Sequence, residues 1–450
     1  MYPKEFLSRM ETLLGEDYPR FLASSQDAPS RALHVNLTKI TPEQLQTAIE
    51  YSLTPIPYAP DGFYLESEEK VGKHPLHHAG AFYMQEPSAM APLCSVDVKE
   101  GMWCMDLCAA PGGKSTQIAN RLGNTGLLVS NELMPARCTT LAGNIERMGI
   151  RNAIVTNTDT QTLAGYLPHM FDLVVVDAPC SGEGMFRKDE EAVADWNLGN
   201  VALCARRQKE ILEAAYTLLK EGGELLYSTC TFSLEENEEQ LAAFLALHPD
   251  MTLLPVPKEV QAVTAPAIGL PHARRFYPHL ARGEGQFMAR LKKAMGEGET
   301  PKTIAKKVKD LPCPLEGEEE RVWMQFVKDN FSTPLPTPMS FKGTISLLEE
   351  NLSLPQAITY ARGVRAGRVE KGRVVPEHWL FSAYGTTMKR QLHLSLSDPR
   401  LTAYLRGETI PCDLFDGWGC VVVEGCALGG IKVTGGVAKN HYPKGLRLRT

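Results

Sequence analysis

The feature that most constrains the fold is a run of short apolar segments between residues 91 and 293, each followed by a turn and a helical pattern. The strands are predicted at Met102–Asp106, Leu127–Asn131, Ala153–Asn157, Leu173–Val176 and Glu224–Ser228. Continuously apolar strands that alternate with helices form parallel sheets covered on both faces. Such sheets bind ligands at the carboxyl ends of their strands. We therefore expect an α/β domain at 91–293 with its site along one rim.

The flanking regions predict further domains, since 450 residues are enough for about two to four. Residues 1–90 predict a small α+β domain that includes a helix opened by the capping sequence Thr41-Pro42-Glu43-Gln44. Residues 294–310 are Lys-rich and poor in large apolar groups, which is typical of a linker. We expect an intermediate domain at 311–380 and a β-rich module at 381–450, because Gly-punctuated β-branched runs appear near the end.

The cysteines and the hydropathy pattern indicate the compartment. The 11 cysteines are an odd number, contain no CxxC pair and have no zinc-finger spacing, so neither disulfides nor a metal is expected. No apolar stretch reaches the roughly 18 residues that span a bilayer. The amphipathic N-terminal segment lacks a signal-type cleavage site. We therefore expect a cytoplasmic, reduced protein with no membrane partner.

A glycine-containing loop, DLCAAPGGKST at 106–116, joins the first strand to its helix. Gly112 and Gly113 allow close approach of a ligand, yet the loop is neither a Walker A nor a GxGxxG sequence. Glu132 closes the second strand, where an acid can bind two ribose hydroxyls, and Asp159 follows the third strand near a possible adenine. Together these residues favour a ligand with adenosine but no polyphosphate, namely S-adenosyl-L-methionine (SAM). The alternative is a simple tight turn beside a solvated strand end.

Two cysteines follow two of the predicted strands, Cys180 in DAPCSG and Cys230 in STCT. A thiolate that adds to carbon 6 of a pyrimidine converts carbon 5 into a nucleophile for a methyl group. A second cysteine is a candidate base for the carbon 5 proton, and Asp177 can hydrogen-bond the ring nitrogen and exocyclic amine of cytosine. A lone cysteine more often packs in a core. We keep that interpretation for the others except Cys108, which we expect to touch SAM.

Together the DLCAAPGGKST, DAPCSG and STC segments resemble the NOL1/NOP2/Sun family of RNA cytosine-5 methyltransferases over about 85–293. The resemblance implies a Rossmann-like SAM-dependent core in which Cys230 is the nucleophile and Cys180 assists product release. Lys188, in GEGMFRKD, matches a family segment near the active site, although a surface lysine is the alternative. SAM, which leaves as S-adenosyl-L-homocysteine, would be bound by Cys108, Ala109, Ala110, Pro111, Gly112, Gly113, Lys114, Glu132, Asp159 and Asp177.

The layout of the whole chain is similar to the bacterial branch of this family that methylates the small ribosomal subunit, the methyltransferase F branch. The resemblance implies an RNA-binding N-terminal domain at 1–90 and a PUA-like RNA-binding module at 381–450. It also implies 5-methylcytidine formation in 16S rRNA, with 16S rRNA or the small subunit as partner. We expect a monomer that contains no metal.

The net charge of −6 conceals two basic segments. Residues 271–310 hold ten Lys and Arg against four acids, and residues 361–450 hold 14 against seven. The aromatic residues beside these segments could stack on bases, so we expect both segments to contact RNA. A solvated face is the alternative. These aromatic residues are Phe276, Tyr277, Trp379 and Tyr384.

Two other functions remain compatible with the sequence. Cys180 could be the nucleophile instead, as the cysteine of a PC motif is in DNA cytosine methyltransferases. The chain could also be a catalytically silent ribosome-assembly factor that binds only SAM or RNA. A protein or small-molecule methyltransferase fits less well, because those reactions need no pair of thiols.

Overall fold

The computed structural model describes residues 2–66, 71–296, 310–350 and 352–448. Most of the predicted linker at 294–310 lies outside these ranges, as do the last four lysines of the first basic segment. No helix within the described ranges is long and apolar enough to cross a bilayer.

The N-terminal region is an α+β unit built on a four-stranded antiparallel sheet of order β2-β3-β1-β4. The predicted capping box is confirmed: the Gln44 backbone N–H donates to Thr41 Oγ1 over 3.2 Å, and the Thr41 N–H donates to Gln44 Oε1 over 2.9 Å. The elements are α1 (Lys4–Leu14), α2 (Tyr18–Ser24), β1 (Ala32–Val35), α3 (Pro42–Ala48), β2 (Leu53–Ile56), β3 (Ala59–Leu65), α4 (Pro75–His78), β4 (Phe82–Met84) and α5 (Pro87–Met90).

The following region contains the alternating strands and helices that the sequence predicts. Its elements are β5 (Trp103–Asp106), α6 (Gly113–Leu122), β6 (Leu127–Asn131), α7 (Pro135–Met148), β7 (Ala153–Thr156), α8 (Thr160–Tyr166), β8 (Phe171–Asp177), α9 (Glu190–Asp195), α10 (Leu198–Leu218), β9 (Leu219–Thr229), α11 (Glu238–Leu247), β10 (Met251–Leu254), α12 (Lys258–Gln261), β11 (Ala265–Ala267), β12 (Leu270–Phe276) and β13 (Gln286–Lys293). The parallel pairs β9-β8-β5-β6-β7 form the centre of the sheet.

Both faces of these parallel strands are covered, as the apolar pattern predicts. Val174 and Val176 of β8 pack with α8 and α10 on one face. Leu173 and Val175 point the other way and pack with α6 and α7. The Rossmann-like α/β core is thereby confirmed, and the carboxyl ends of its strands form one rim.

Antiparallel strands extend the central sheet at both edges, which the sequence did not predict. β13 pairs with β9 on one side, followed by β12 and β11, and β10 pairs with β13. On the other side, β17 (Thr359–Arg362) from the C-terminal region pairs with β7. The central sheet therefore has ten strands, one of which comes from far along the chain.

The C-terminal region contains two five-stranded sheets. The sheet of order β20-β22-β23-β24-β21 lies in the module predicted to be β-rich, whereas the sheet of order β14-β15-β16-β18-β19 precedes that module and was not predicted. The remaining elements are β14 (Cys313–Pro314), α13 (Gly317–Asn330), β15 (Pro338–Phe341), β16 (Thr344–Leu347), β18 (Val364–Glu370), β19 (Arg373–Pro376), α14 (His378–Tyr384), β20 (Gln391–Leu394), α15 (Pro399–Leu405), β21 (Ile410–Pro411), β22 (Gly417–Val423), β23 (Cys426–Thr434) and β24 (Val437–Asn440). The domain boundaries themselves stay a prediction.

The aromatic residues expected to stack on bases are mostly in the core, so that prediction is wrong for three of the four. Phe276, Tyr277 and Tyr384 are buried, and only Trp379 is partly exposed. Phe276 lies in a cluster with residues of the N-terminal sheet, and Tyr277 stacks on Phe232 with ring centroids 5.3 Å apart. Apolar packing, which sequence spacing did not reveal, accounts for their burial.

Many basic residues of the two predicted RNA segments form ion pairs within the protein. Arg275 is buried and its Nε donates to Glu238 over 2.6 Å. Arg290 pairs with Glu224 at 2.8 Å, and Arg365 pairs with a glutamate of α7 at 2.6 Å. These arginines join neighbouring elements of the protein, so the fold itself accounts for part of the positive charge of both segments. Contact of the two segments with RNA stays a prediction.

Candidate active site

The loop after β5 supplies a tightly packed turn at the rim of the central sheet. Gly112 has a φ of 117°, in the left-handed region that favours glycine, and α6 begins at the next residue. A Cβ atom on Gly113 would approach the amide of Gln85 to 3.1 Å. The backbone of this loop is thus held close between α7 and the segment before α5. Its approach to a ligand stays a prediction.

Beside this loop, Asp106 carries an acceptor that the protein does not use. Its Oδ2 accepts a hydrogen bond from Ser115 Oγ over 2.7 Å, while its Oδ1 is buried without a partner among the described residues. Burial raises the pKa of Asp106 to about 7. Burial also raises the pKa of the Cys108 thiol well above its usual range, which disfavours the nucleophilic thiolate form.

The two acids predicted to bind adenosine differ in their surroundings. Glu132 is buried at the end of β6, where its Oε1 accepts from the Met134 backbone N–H over 2.9 Å. Asp159 is exposed and caps α8, since its carboxylate accepts from the Thr162 N–H and hydroxyl, each at 2.8 Å. Those bonds lower the pKa of Asp159. This capping role of Asp159 was not predicted from the sequence.

The residues of this part of the rim fit a SAM-like ligand. The orphaned Asp106 oxygen together with buried Glu132 offers acceptors for hydroxyl or amino groups. Within the described ranges, no group of three or more His, Cys, Asp or Glu side chains could hold a metal ion.

Asp177, at the end of β8, joins the glycine-containing loop at 106–116 (the cofactor loop) to β9, the strand that ends just before Cys230. Its Oδ2 pairs with the ammonium group of Lys114 at 2.7 Å. Its Oδ1 accepts from Ser228 Oγ over 2.7 Å and from Gln286 Nε2 over 3.3 Å. Ser228 and Gln286 were missed from sequence, because nothing in a single chain pairs a β9 hydroxyl or a β13 amide with this carboxylate.

The thiols of Cys180 and Cys230 are in contact at the ends of the adjacent strands β8 and β9. Their Sγ atoms are 3.2 Å apart, and both residues are half-buried free cysteines. The hydrogen bond to Cys230, with burial, raises the pKa of the Cys180 thiol well above its usual range. The raised pKa favours the protonated form of Cys180, which lies in hydrogen-bond contact with the Cys230 sulfur.

Buried polar groups hold the loop that contains Cys230, and sequence reasoning did not identify them. The Gly184 N–H donates to the Cys230 carbonyl over 2.8 Å. Glu183 accepts from the Phe232 N–H over 2.9 Å, and Asn237 donates to the Thr231 carbonyl over 3.0 Å. The only signal was the acidic run EENEE at 235–239, which reads as the solvated start of a helix.

Lys188 lies between the 182–189 loop and the N-terminal unit. Its ammonium group donates to the Ser30 carbonyl over 3.3 Å and lies 4.0 Å from a Glu284 oxygen. These contacts join the loop to two neighbouring segments and do not involve the thiols. A catalytic role for Lys188 stays a prediction.

Three family models match consecutive parts of the chain. They describe the N-terminal domain of 16S rRNA methyltransferase RsmF over residues 2–87, the 16S rRNA methyltransferase RsmB/F over 93–292, and the RsmF PUA domain over 391–448. The PUA match agrees with the module expected at the end of the chain.

Individual relatives give the same result. The ribosomal RNA small subunit methyltransferase F of Vibrio campbellii is 32% identical over 99% of this chain and 97% of that protein. Its counterpart from Erwinia tasmaniensis is 35% identical over 65% of this chain and 63% of that protein. The crystal structure of a methyltransferase homolog protein from Pyrococcus horikoshii matches with a TM-score of 0.56 and 28% identity, covering 65% of this chain and 95% of the other.

Proposed function

Because the chain belongs to the RsmB/F family of SAM-dependent 16S rRNA methyltransferases, we propose that it methylates carbon 5 of cytidine through a covalent bond between Cys230 and carbon 6. The observation that carries this proposal is the pair of thiols 3.2 Å apart at two adjacent strand ends. Methyl transfer to a ring nitrogen or a ribose oxygen needs no thiol nucleophile, whereas transfer to carbon 5 does.

The residues that would hold SAM are the 108–114 loop, Glu132, Asp159 and Asp177. When bound, SAM supplies an electrophilic methyl group on its sulfonium. The buried Lys114 ammonium pairs with Asp177 and so fixes this side chain at the boundary between the cofactor loop and the thiols.

The carboxylate of Asp177 favours cytosine over uracil. Its oxygens have about four acceptor positions, of which Lys114, Ser228 and Gln286 use three. The remaining position suits the exocyclic amine of cytosine, which is a donor. Uracil has only an acceptor there, so its oxygen would face a negative charge.

The two thiols divide the chemistry between them. The Cys230 thiolate forms a bond to carbon 6, and the electron pair of the carbon 5–carbon 6 double bond moves to carbon 5, where the methyl group is accepted. Once its sulfur is alkylated, Cys230 no longer stabilises the Cys180 proton, which passes to solvent. The Cys180 thiolate then takes the carbon 5 proton, the double bond re-forms and the sulfur–carbon bond breaks. The initial protonation state is thereby restored.

Trapping with 5-fluorocytidine tests the nucleophile, because fluorine at carbon 5 cannot leave as a proton does. We expect a covalent complex between fluorinated 16S rRNA and the wild type in the presence of SAM, and none with Cys230→Ala. Cys313→Ala is the control, since Cys313 is exposed and belongs to β14. A complex that persists in Cys230→Ala but is lost in Cys180→Ala would identify Cys180 as the nucleophile instead.

The release step is tested with ordinary RNA. We expect Cys180→Ala to accumulate a covalent RNA complex, because the carbon 5 proton is no longer removed. Full turnover without such a complex would refute the role of Cys180. Transfer of a labelled methyl group to small subunits excludes a silent assembly factor, and bisulfite sequencing of 16S rRNA then identifies the cytosine.

A further inference from the structure

We propose that Glu236 is a positioning residue that fixes Cys180 against Cys230 and so determines how fast the methylated product is released. The inference rests on the proposed function, in which Cys180 removes the carbon 5 proton. Glu236 follows Cys230 by six residues, in the loop between β9 and α11, and its side chain is fully buried.

The carboxylate of Glu236 reaches from the Cys230 loop to the residue that follows Cys180. Its Oε2 accepts from the Ser181 backbone N–H over 3.0 Å, and its Oε1 accepts from Ser181 Oγ over 2.5 Å. Ser181 Oγ is also 2.9 Å from the hydroxyl of Thr231, the residue after Cys230. The two residues that follow the two cysteines are thus joined side by side.

Gln208 of α10 completes the arrangement from the other side of Cys180. Its Nε2 donates to Glu236 Oε2 over 2.9 Å and to the Pro179 carbonyl over 3.0 Å. Cys180 therefore lies between two anchored backbone groups, the carbonyl of residue 179 and the N–H of residue 181. Both anchors depend on the carboxylate of Glu236, one directly and one through Gln208.

The carboxylate of Glu236 indicates a role beyond filling space in the core. No Lys or Arg within the described ranges forms an ion pair with it, and burial raises its pKa to about 6. An unpaired buried carboxylate is costly, and an apolar group of similar size would often serve stability as well. Only a carboxylate accepts on every side, however, and the three groups that face it are all donors.

Exchange of this carboxylate for an amide tests the inference. Glu236→Gln has the same size but no charge and only one acceptor oxygen, so the bonds to Ser181 and Gln208 weaken and Cys180 shifts from its contact. We expect the methyl transfer in a single turnover to stay close to the wild-type rate, because Cys230 is unchanged. The multiple-turnover rate should fall by about 10- to 100-fold, as for displacements of up to 1 Å at a reacting group. A covalent complex with ordinary rRNA should accumulate.

Two variants accompany this measurement. Glu235→Gln is the matched control. The Glu235 carboxylate is next to Glu236 in the sequence, but it is partly exposed and pairs with Arg9. This variant should accumulate no covalent complex. Ser181→Ala removes one of the two Ser181 bonds and should accumulate the complex to a smaller extent. If Glu236→Gln does not fold, the single-turnover rate, the multiple-turnover rate and the covalent complex are measured with Ser181→Ala instead.

The outcomes separate the inference from the function on which it rests. An equal loss of single- and multiple-turnover rates without a covalent complex would overturn the positioning role. Absence of any Cys230-dependent complex between the wild type and 5-fluorocytidine rRNA would instead refute the proposed function.

Discussion

Substitution of Gly184 by alanine should displace the nucleophile without removing any catalytic group. A Cβ atom at this position would lie 2.7 Å from both the Cα and the carbonyl oxygen of Gly285, and 2.9 Å from the Cys230 carbonyl oxygen. To reach an ordinary contact of 3.4 Å, the Gly285 atoms must retreat by 0.7 Å and the Cys230 oxygen by 0.5 Å. Because Gly184 lies in the helical turn Glu183–Met185, the effect comes from steric contact and not from backbone conformation.

The size of the effect follows from these distances. Overpacking of this kind costs about 1–3 kcal/mol of stability. A misplacement of 1 Å at a reacting group costs about 10²-fold in rate, so a shift near half of that should cost about 10-fold. The loss should appear in kcat, since the Gly184 N–H is bonded to the carbonyl of Cys230 and not to the cofactor loop.

The measurement combines initial rates of methyl transfer from labelled SAM to small subunits with thermal unfolding of the same preparations. Gly165→Ala in α8 is the control, because a Cβ atom there meets nothing within 4 Å. Alanine is favoured over glycine in helices by up to about 1 kcal/mol, so this variant should be at least as stable as the wild type. Wild-type turnover together with wild-type stability in Gly184→Ala would refute the reasoning.

Three further substitutions have defined outcomes. Arg275→Met should lower stability by about 3–5 kcal/mol, because it leaves the buried Glu238 carboxylate unpaired; an unchanged melting temperature with weaker rRNA binding would contradict this. Lys114→Met should weaken SAM binding at least about 10-fold by calorimetry, as expected for loss of a charge-assisted contact, while the melting temperature shows that the chain is folded. Arg9 holds the pKa of Glu235 at about 2. The pair therefore stabilises the protein fully at pH values above the ordinary pKa of glutamate, and this stabilisation is lost as the pH falls through about 2. Arg9→Met should therefore move acid unfolding to higher pH, followed by circular dichroism.

The parallel core could be predicted from sequence because its signals are local. The predicted bounds of β6 agree with the structure, since a continuous apolar run ends there at a polar residue. The antiparallel strands were missed because their partners lie elsewhere in the chain. β17 is only four residues long and pairs with β7, and its sequence does not contain that information.

The residues that take part in the proposed chemistry could be predicted from the sequence. The residues that hold them in place could not. The motifs led to Cys180, Cys230 and Asp177, which the structure brings together on one rim. Glu236 was missed because an acid in an acidic run reads as solvated. Arg275 was misinterpreted for the complementary reason: a basic residue in a basic segment gives no sign of a buried partner.

The pairing of β17 with β7 affects how the protein can be made. The core sheet formed by residues up to 293 still has β7 as an open edge, and an unpaired edge strand is a template for association with other chains. At ordinary synthesis rates, β17 leaves the ribosome about 3–14 s later than β13. Every newly made chain therefore passes through an interval in which its methyltransferase core is complete in sequence but unfinished in hydrogen bonding. A fragment that ends at residue 293 would remain in that state permanently.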